Sequence, residues 1–207
     1  MRKSALLVLT VCLLSACSAP ESDEGTEAQA PGASPSAAGP GEWVTLFDGS
    51  NLDAFNTTGD ANWMIEGDAV SADMGSGMLV TKQAYTDFDI DAEFWVDAPA
   101  NSGVFIRCPN AEEISATSCY EVNIFDTRPD QTYRTGAIVN VAAPQVQLYT
   151  GGRWNRYEIS ADGPRLHVVL NGEVTVDTED SQHPSGYIGF QYGAGIVKFR
   201  NIRIRPR

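Results

Sequence analysis

"FDIDAEFWV", residues 88–96, decides the fold class. Phe88, Ile90, Ala92, Phe94 and Val96 fall on one side of an extended chain, and Asp89, Asp91, Glu93 and Trp95 on the other. This period of two belongs to a half-buried β-strand, because successive side chains leave a pleated backbone on opposite faces. No stretch of the chain carries a helical stripe. Short alternating runs follow instead: "GVFIR" (103–107), "YEVNI" (120–124), "GAIVNV" (136–141), "WNRYEIS" (154–160), "RLHVVLNG" (165–172), "EVTVD" (173–177), "GYIGFQ" (186–191) and "IVKFRNIRIR" (196–205). Gly, Asp, Asn and Pro separate them. "LNGE" at 170–173 predicts a hairpin, since Asn-Gly suits a type I′ turn. Ten or more short strands at this spacing predict an all-β antiparallel sandwich or barrel.

The N-terminus reads differently. Arg2 and Lys3 precede the apolar run "ALLVLTVCLL", too short to span a bilayer but suited to a signal-peptide core. "LSAC" then leads to Cys17 in the pattern of a lipoprotein cleavage box. The expected organisation is a lipoprotein signal peptide (1–16), a lipid-anchored disordered tether (17–41) and one β-sandwich domain (42–207). The tether lacks aromatics and is rich in Pro, Gly, Ala and acids, so it cannot bury a core. Localisation is expected at the bacterial cell envelope, at the periplasmic face or the outer membrane, with membrane contact through the lipid on Cys17 only. Loss of residues 1–16 removes two positive charges and takes the formal charge from −13 to −15. A domain so acidic argues against nucleic acid or anionic lipid as partners.

Once Cys12 and Cys17 are set aside, Cys108 and Cys119 remain, and in an oxidising compartment they are expected to form a disulfide. Strand parity raises a conflict. Cys108 falls with the core residues Val104 and Ile106, whereas Cys119 falls with the polar residues Glu121 and Asn123, so Cys108 is expected just past the end of its strand, where alternation has lapsed. Metal chemistry through these cysteines is not expected, because His167 and His183 lie far off in sequence. Scattered acids on a sandwich can still build a calcium site without a linear motif. No other cofactor is implied.

"WVTLFDGSNLDAF" (43–55), "NSGVFIR" (101–107), "YEVNIFD" (120–126), "TGAIV" (135–139), "WNRYEISADGPRLHVVLNGE" (154–173) and "GYIGFQ…VKFRNIRIR" follow one another in register. In this the chain resembles the 3-keto-disaccharide hydrolase domain family from about Trp43 to Arg205. The resemblance implies a concanavalin-like jelly-roll sandwich whose concave sheet binds sugar. It further implies cleavage of glycosides whose sugar carries a ketone at carbon 3. Such a ketone acidifies the hydrogen at carbon 2, so one base, a group to stabilise the enolate and an acid for the leaving group suffice.

Glu121 is the leading candidate base, with Arg107 as its partner or as an oxyanion stabiliser; an exposed ion pair between the two is the plainer account. The candidate sugar contacts are Asn101, Asn123, Asp126, Arg134, Gln191 and Tyr192. Asn101 also serves as a turn former and Asp126 as a turn cap. Trp95 shares the polar parity of its strand, while Trp43, Trp63 and Trp154 are expected in the core. One departure stands out. Family members commonly read Leu-Gln-Asp-His or Leu-Gln-His where this chain has "GFQYGAG" (189–195), so Gln191 matches and Tyr192 and Gly193 replace the polar pair. A non-catalytic, lectin-like envelope lipoprotein is therefore the alternative to an enzyme, and a structural envelope protein is a third reading.

Overall fold

The computed structural model describes residues 41–207. The expected leader, Cys17 and all of the tether but Gly41 lie outside the described residues. Alternation becomes strands β1 (Val44–Phe47), β2 (Phe55–Gly59), β3 (Met64–Glu66), β4 (Ala69–Ala72), β5 (Gly77–Thr81), β6 (Phe88–Val96) and β7 (Ser102–Cys108). Then come β8 (Tyr120–Ile124), β9 (Trp154–Asp162), β10 (Arg165–Leu170), β11 (Glu173–Glu179), β12 (Tyr187–Tyr192) and β13 (Val197–Pro206). One sheet runs β11-β10-β9-β6-β13-β4-β3, with β1 also on β13; the other runs β2-β5-β12-β7-β8. All the ladders between these strands are antiparallel. This is the expected jelly-roll sandwich.

The two inner faces form one core. From the large sheet come Ile90, Phe94, Tyr157, Ile159, Phe199 and Ile204, and from the small one Val104, Ile106, Tyr120, Val122, Ile188 and Phe190. Phe190 meets Phe199 edge to face across the gap, with ring centroids 5.2 Å apart. The hairpin at "LNGE" forms as predicted, with Asn171 at φ 53° and Gly172 at φ 86°, both positive as a type I′ turn requires. "GAIVNV" is the exception. It lies along the free edge of β8, with Ile138 bridged to Val122, but curls back on itself at Asn140 (φ 63°) instead of continuing as a strand.

β6 sits mid-sheet between β9 and β13, so its polar residues point outward from the large sheet. There they meet arginines. Asp89 bonds Arg205 and Arg207, Asp91 bonds Arg156 and Arg203, and Glu93 bonds Arg200. Burial works to raise the Asp89 carboxyl, but hydrogen bonds from Arg207, Ser160 and Arg205 outweigh it and hold it at about 2. Trp43 and Trp154 belong to this face rather than to the core: Arg203 covers the Trp43 ring at 4.6 Å and Arg200 the Trp154 ring at 4.0 Å. Trp95 pairs with Trp154 on the same outer face.

The cysteine parity conflict is resolved by a bulge. Phe105 pairs with Gly189 but Cys108 with Tyr187, so β7 holds one residue more than β12 across that step. Arg107 lies in the bulge at φ 55°. The extra residue shifts the alternation and brings Cys108 to the outer face beside Cys119, where the two are bonded with Cα atoms 4.7 Å apart. Alternation therefore lapses inside the strand rather than beyond its end. Met78, Val80 and Phe105 join the disulfide in a second, smaller apolar cluster, on which Ile114 of the intervening loop rests. Replacing both cysteines by serine is expected to lower stability by about 3 kcal/mol, the chain entropy of a loop this size. Urea melts of the variant and wild type, with and without reductant, check this.

Candidate functional site

The candidate site on the outer face of the small sheet is built from three strands in register. Gln191 of β12, Gly103 of β7 and Asn123 of β8 form one row, since Phe190 pairs with Val104 and Gly103 with Asn123. Gly189, Phe105 and Glu121 form the next. Asn101 and Gly193 extend the face at the far end, with both amide nitrogens 193 and 194 donating to the Asn101 carbonyl.

Three glycines shape this floor. A Cβ on Gly103 would lie 3.3 Å from Glu121 Cγ, one on Gly189 3.2 Å from Ile114 Cδ1, and one on Gly193 3.1 Å from Asn101 Nδ2. Neighbouring side chains thus lie flat over the gaps instead of standing up from the sheet.

Glu121 is 8 % exposed, and its carboxylate has no hydrogen bond or ion pair among the described residues. Its cross-strand partner is Phe105, itself buried by the disulfide loop. Burial pushes the Glu121 carboxyl up to about 7, and the charge of Arg128 offsets a smaller part of that rise. Arg128 was not foreseen. It follows the strand in "DTRPD", and among the described residues its guanidinium has no partner; only its place in the folded loop reveals it. Asn123 is fully buried; its Nδ2 donates to the Tyr133 carbonyl at 2.5 Å, while its Oδ1 is left unpaired. Gln191 Oε1 is likewise buried without a partner. From the opposite sheet, Tyr157 crosses the core and donates to the Asn123 carbonyl at 2.7 Å, which fixes β8 from beneath.

Four of the other predicted site residues are engaged elsewhere. The bulge turns Arg107 into the edge of the sandwich, 1 % exposed, where it donates to the carbonyls of Thr86 (2.9 Å) and Gly163 (2.7 Å) and pairs with Asp87 (2.8 Å). It makes no contact with Glu121, so the expected Arg107–Glu121 pair does not form. Asp126 accepts from Thr135 Oγ1, Thr150 Oγ1 and the amides of Thr150 and Gly151, so its lone pairs are committed to tying loops. Arg134, 3 % exposed, donates to Leu148 O and Gln131 Oε1 and lies 3.9 Å from Asp126. It braces the loop from within.

Tyr192 has the parity of Phe190, not of Gln191. Its ring enters the core against Trp63, centroids 6.4 Å apart, and its hydroxyl donates to Gly195 O at 3.1 Å. Tyr192→Phe is expected to cost about 1 kcal/mol or less of stability and to leave ligand binding unchanged, as paired urea melts and titrations will read out.

No three His, Cys, Asp or Glu side chains gather as a metal cluster among the described residues. A groove of about 440 Å³ lies on the opposite, large-sheet face, lined in part by Asp91, Glu93, Arg156 and Arg203. Asp91 and Glu93 there are already bonded to arginines, and Asp48, also in the lining, accepts from Ser50. A buried acid without a partner occurs on the small sheet instead.

The family assignment agrees with this architecture. Residues 42–205 match the 3-keto-alpha-glucoside-1,2-lyase-like domain. The chain belongs to that family. Among solved structures, two candidate glycosyl hydrolases from Parabacteroides distasonis ATCC 8503 share the fold. One has TM-score 0.70 and 18 % identity over 80 % of this chain and 94 % of its own. The other has 0.68 and 24 %, over 80 % and 100 %. The carbohydrate-binding module CBM66 from Bacillus subtilis follows at TM-score 0.53 and 14 % identity, over 79 % and 96 %. No curated protein matches the chain. Membership of the 3-keto-alpha-glucoside-1,2-lyase-like family ties the domain to carbohydrate, and the resemblance read from the sequence is the family found.

Proposed function

We propose that this domain cleaves 3-keto-glycosides by elimination and hydration, with Glu121 as the base. The observation that carries the reading is a lone buried carboxylate held near half-ionisation at neutral pH on an amide-lined floor. A two-carboxylate glycosidase mechanism fits poorly, because no second acid bears on Glu121 among the described residues. With a ketone at carbon 3, one carboxylate is enough. Glu121 takes the proton from carbon 2, and the C–H electron pair passes into the enolate. That pair then forms the carbon 1–carbon 2 double bond as the C1–O bond breaks, the leaving group gains a proton, and water adds at carbon 1. Arg128, whose charge acts on Glu121, is the cation offered for the enolate oxygen, and Asn123 and Gln191 supply amides for sugar hydroxyls.

Incubating the chain with methyl 3-keto-α-D-glucopyranoside should release methanol. The rate should rise with pH to a plateau, with a midpoint near 7, because only the ionised carboxylate accepts a proton.

One observation favours a second reading, a non-catalytic carbohydrate-binding domain. Tyr192 stands where the family's polar pair is expected, and its hydroxyl is turned to Gly195 O, so among the described residues no second side-chain acid beside Glu121 lies on the floor to protonate the leaving group. Saturable binding of the keto-glycoside without methanol release would decide for it. The reading also places the domain outside the cytoplasm, supported by the Cys108–Cys119 bond; the lipid anchor at Cys17 is part of the same proposal.

A further inference from the structure

The most consequential residue on the floor has no side chain. Gly103 sits between Gln191 and Asn123 in one row, and Glu121 crosses the strand gap to lie over it. A Cβ built on Gly103 would meet Glu121 Cγ at 3.3 Å, Glu121 Oε1 at 3.4 Å and the Val122 carbonyl at 3.3 Å. Contacts that short force the neighbour to move, and the end of a flexible side chain moves more easily than a backbone carbonyl. Gly103 has no positive φ, so its backbone does not call for glycine. What calls for glycine is the space.

We propose that Gly103 is a positioning residue: the side chain it lacks is the seat of Glu121, and a methyl group there displaces the carboxylate from between Asn123 and Gln191. The same device recurs beside it, where Ile114 and Met78 fill the gap over Gly189. The groups facing Glu121 make the seat sensitive to displacement. β7 offers Phe105 and Gly103, β12 offers Gly189 and Gln191, the loop after β8 offers the charge of Arg128, and the acids of the disulfide loop, Glu112 and Glu113, are exposed. A carboxylate lifted from this seat exchanges a dry surround for water.

The proposal rests on reading Glu121 as the base, and its test separates the two. The Glu121 carboxyl would be followed by carbon-13 NMR in the full chain and in Gly103→Ala, with Glu121→Gln identifying the signal. Wild type should titrate with a midpoint of about 7, and Gly103→Ala should titrate roughly one unit or more lower. On methyl 3-keto-α-D-glucopyranoside, kcat should fall about 10- to 100-fold with KM little changed. An unmoved midpoint in a folded Gly103→Ala overturns the proposal, whatever the rate does. Absence of turnover in wild type sinks the catalytic reading of Glu121 and leaves the midpoint to decide on Gly103. If Gly103→Ala fails to fold, the same change in a Glu121→Ala background, where Cγ is gone, should fold; failure there too would show that the backbone, not Glu121, needs the space.

Discussion

Glu121→Gln is expected to lose turnover by about 10²- to 10⁴-fold and to gain stability at alkaline pH. Both effects have one cause. In the folded chain the Glu121 carboxyl sits at about 7 against an ordinary 4.5, because burial penalises its charged form. As pH rises from about 4.5 to about 7, the unfolded chain releases this proton and the folded chain keeps it, so folding loses free energy across that window. At roughly 1.4 kcal/mol per pH unit the loss comes to about 3 kcal/mol above pH 7. Glutamine carries no charge to bury. Urea melts should therefore show the variant equal to wild type near pH 4 and more stable by up to about 3 kcal/mol at pH 8. A variant that is inactive but no more stable at pH 8 would mean the carboxylate is better solvated than its surroundings indicate.

Arg107→Met is expected to cost about 2–3 kcal/mol, the largest single-residue loss predicted for this chain. Methionine keeps the unbranched apolar stem of the side chain but is shorter and donates nothing. The Thr86 and Gly163 carbonyls and the Asp87 carboxylate then lose their guanidinium donors, and the buried cavity left by Arg107 is only partly filled. A lysine cannot serve either, since one ammonium does not reproduce the fork that reaches three acceptors at once. Thermal melts measure the loss. The same variant tests the role first assigned to Arg107 as partner of Glu121. Below its melting temperature, kcat per folded molecule should equal that of wild type, whereas an oxyanion stabiliser would show a deficit with folding intact.

The sandwich itself was legible in the sequence, because alternation and turn chemistry are local. Which outer face carries the site was harder to see. "FDIDAEFWV" and "YEVNI" both read as apolar-in, acid-out, and parity does not distinguish a solvated acid from a functional one. The distinguishing signal lay about a hundred residues away in "RNIRIRPR", whose arginines alternate in step with Asp89, Asp91 and Glu93. Pairing β13 with β6 sets Arg203 opposite Asp91 and Arg205 opposite Asp89. No such complement exists for Glu121.

Asp126 and Arg134 misled because their partners are loop amides and carbonyls, which no side-chain pattern announces. Tyr192 was misjudged by comparison with the family's polar pair rather than by its own parity, which groups it with Phe190 and the core.

The inserted residue in β7 acts as a parity switch. Upstream of it the strand reads core-side for even positions, and downstream the same even parity reads outward, so Cys108 can join a clamp that its count would forbid. Flattening the bulge with Arg107 retained would restore unbroken alternation and aim the thiol into the core, away from its partner, whereas deleting Arg107 would leave the cysteine facing outward next to Ile106. With Arg107 present, the covalent clamp, the apolar cluster beneath its loop and the dry setting of Glu121 therefore hang on the bulge being kept. Related chains without the extra residue should carry the cysteine directly after the position of Ile106, where regular alternation already turns it outward.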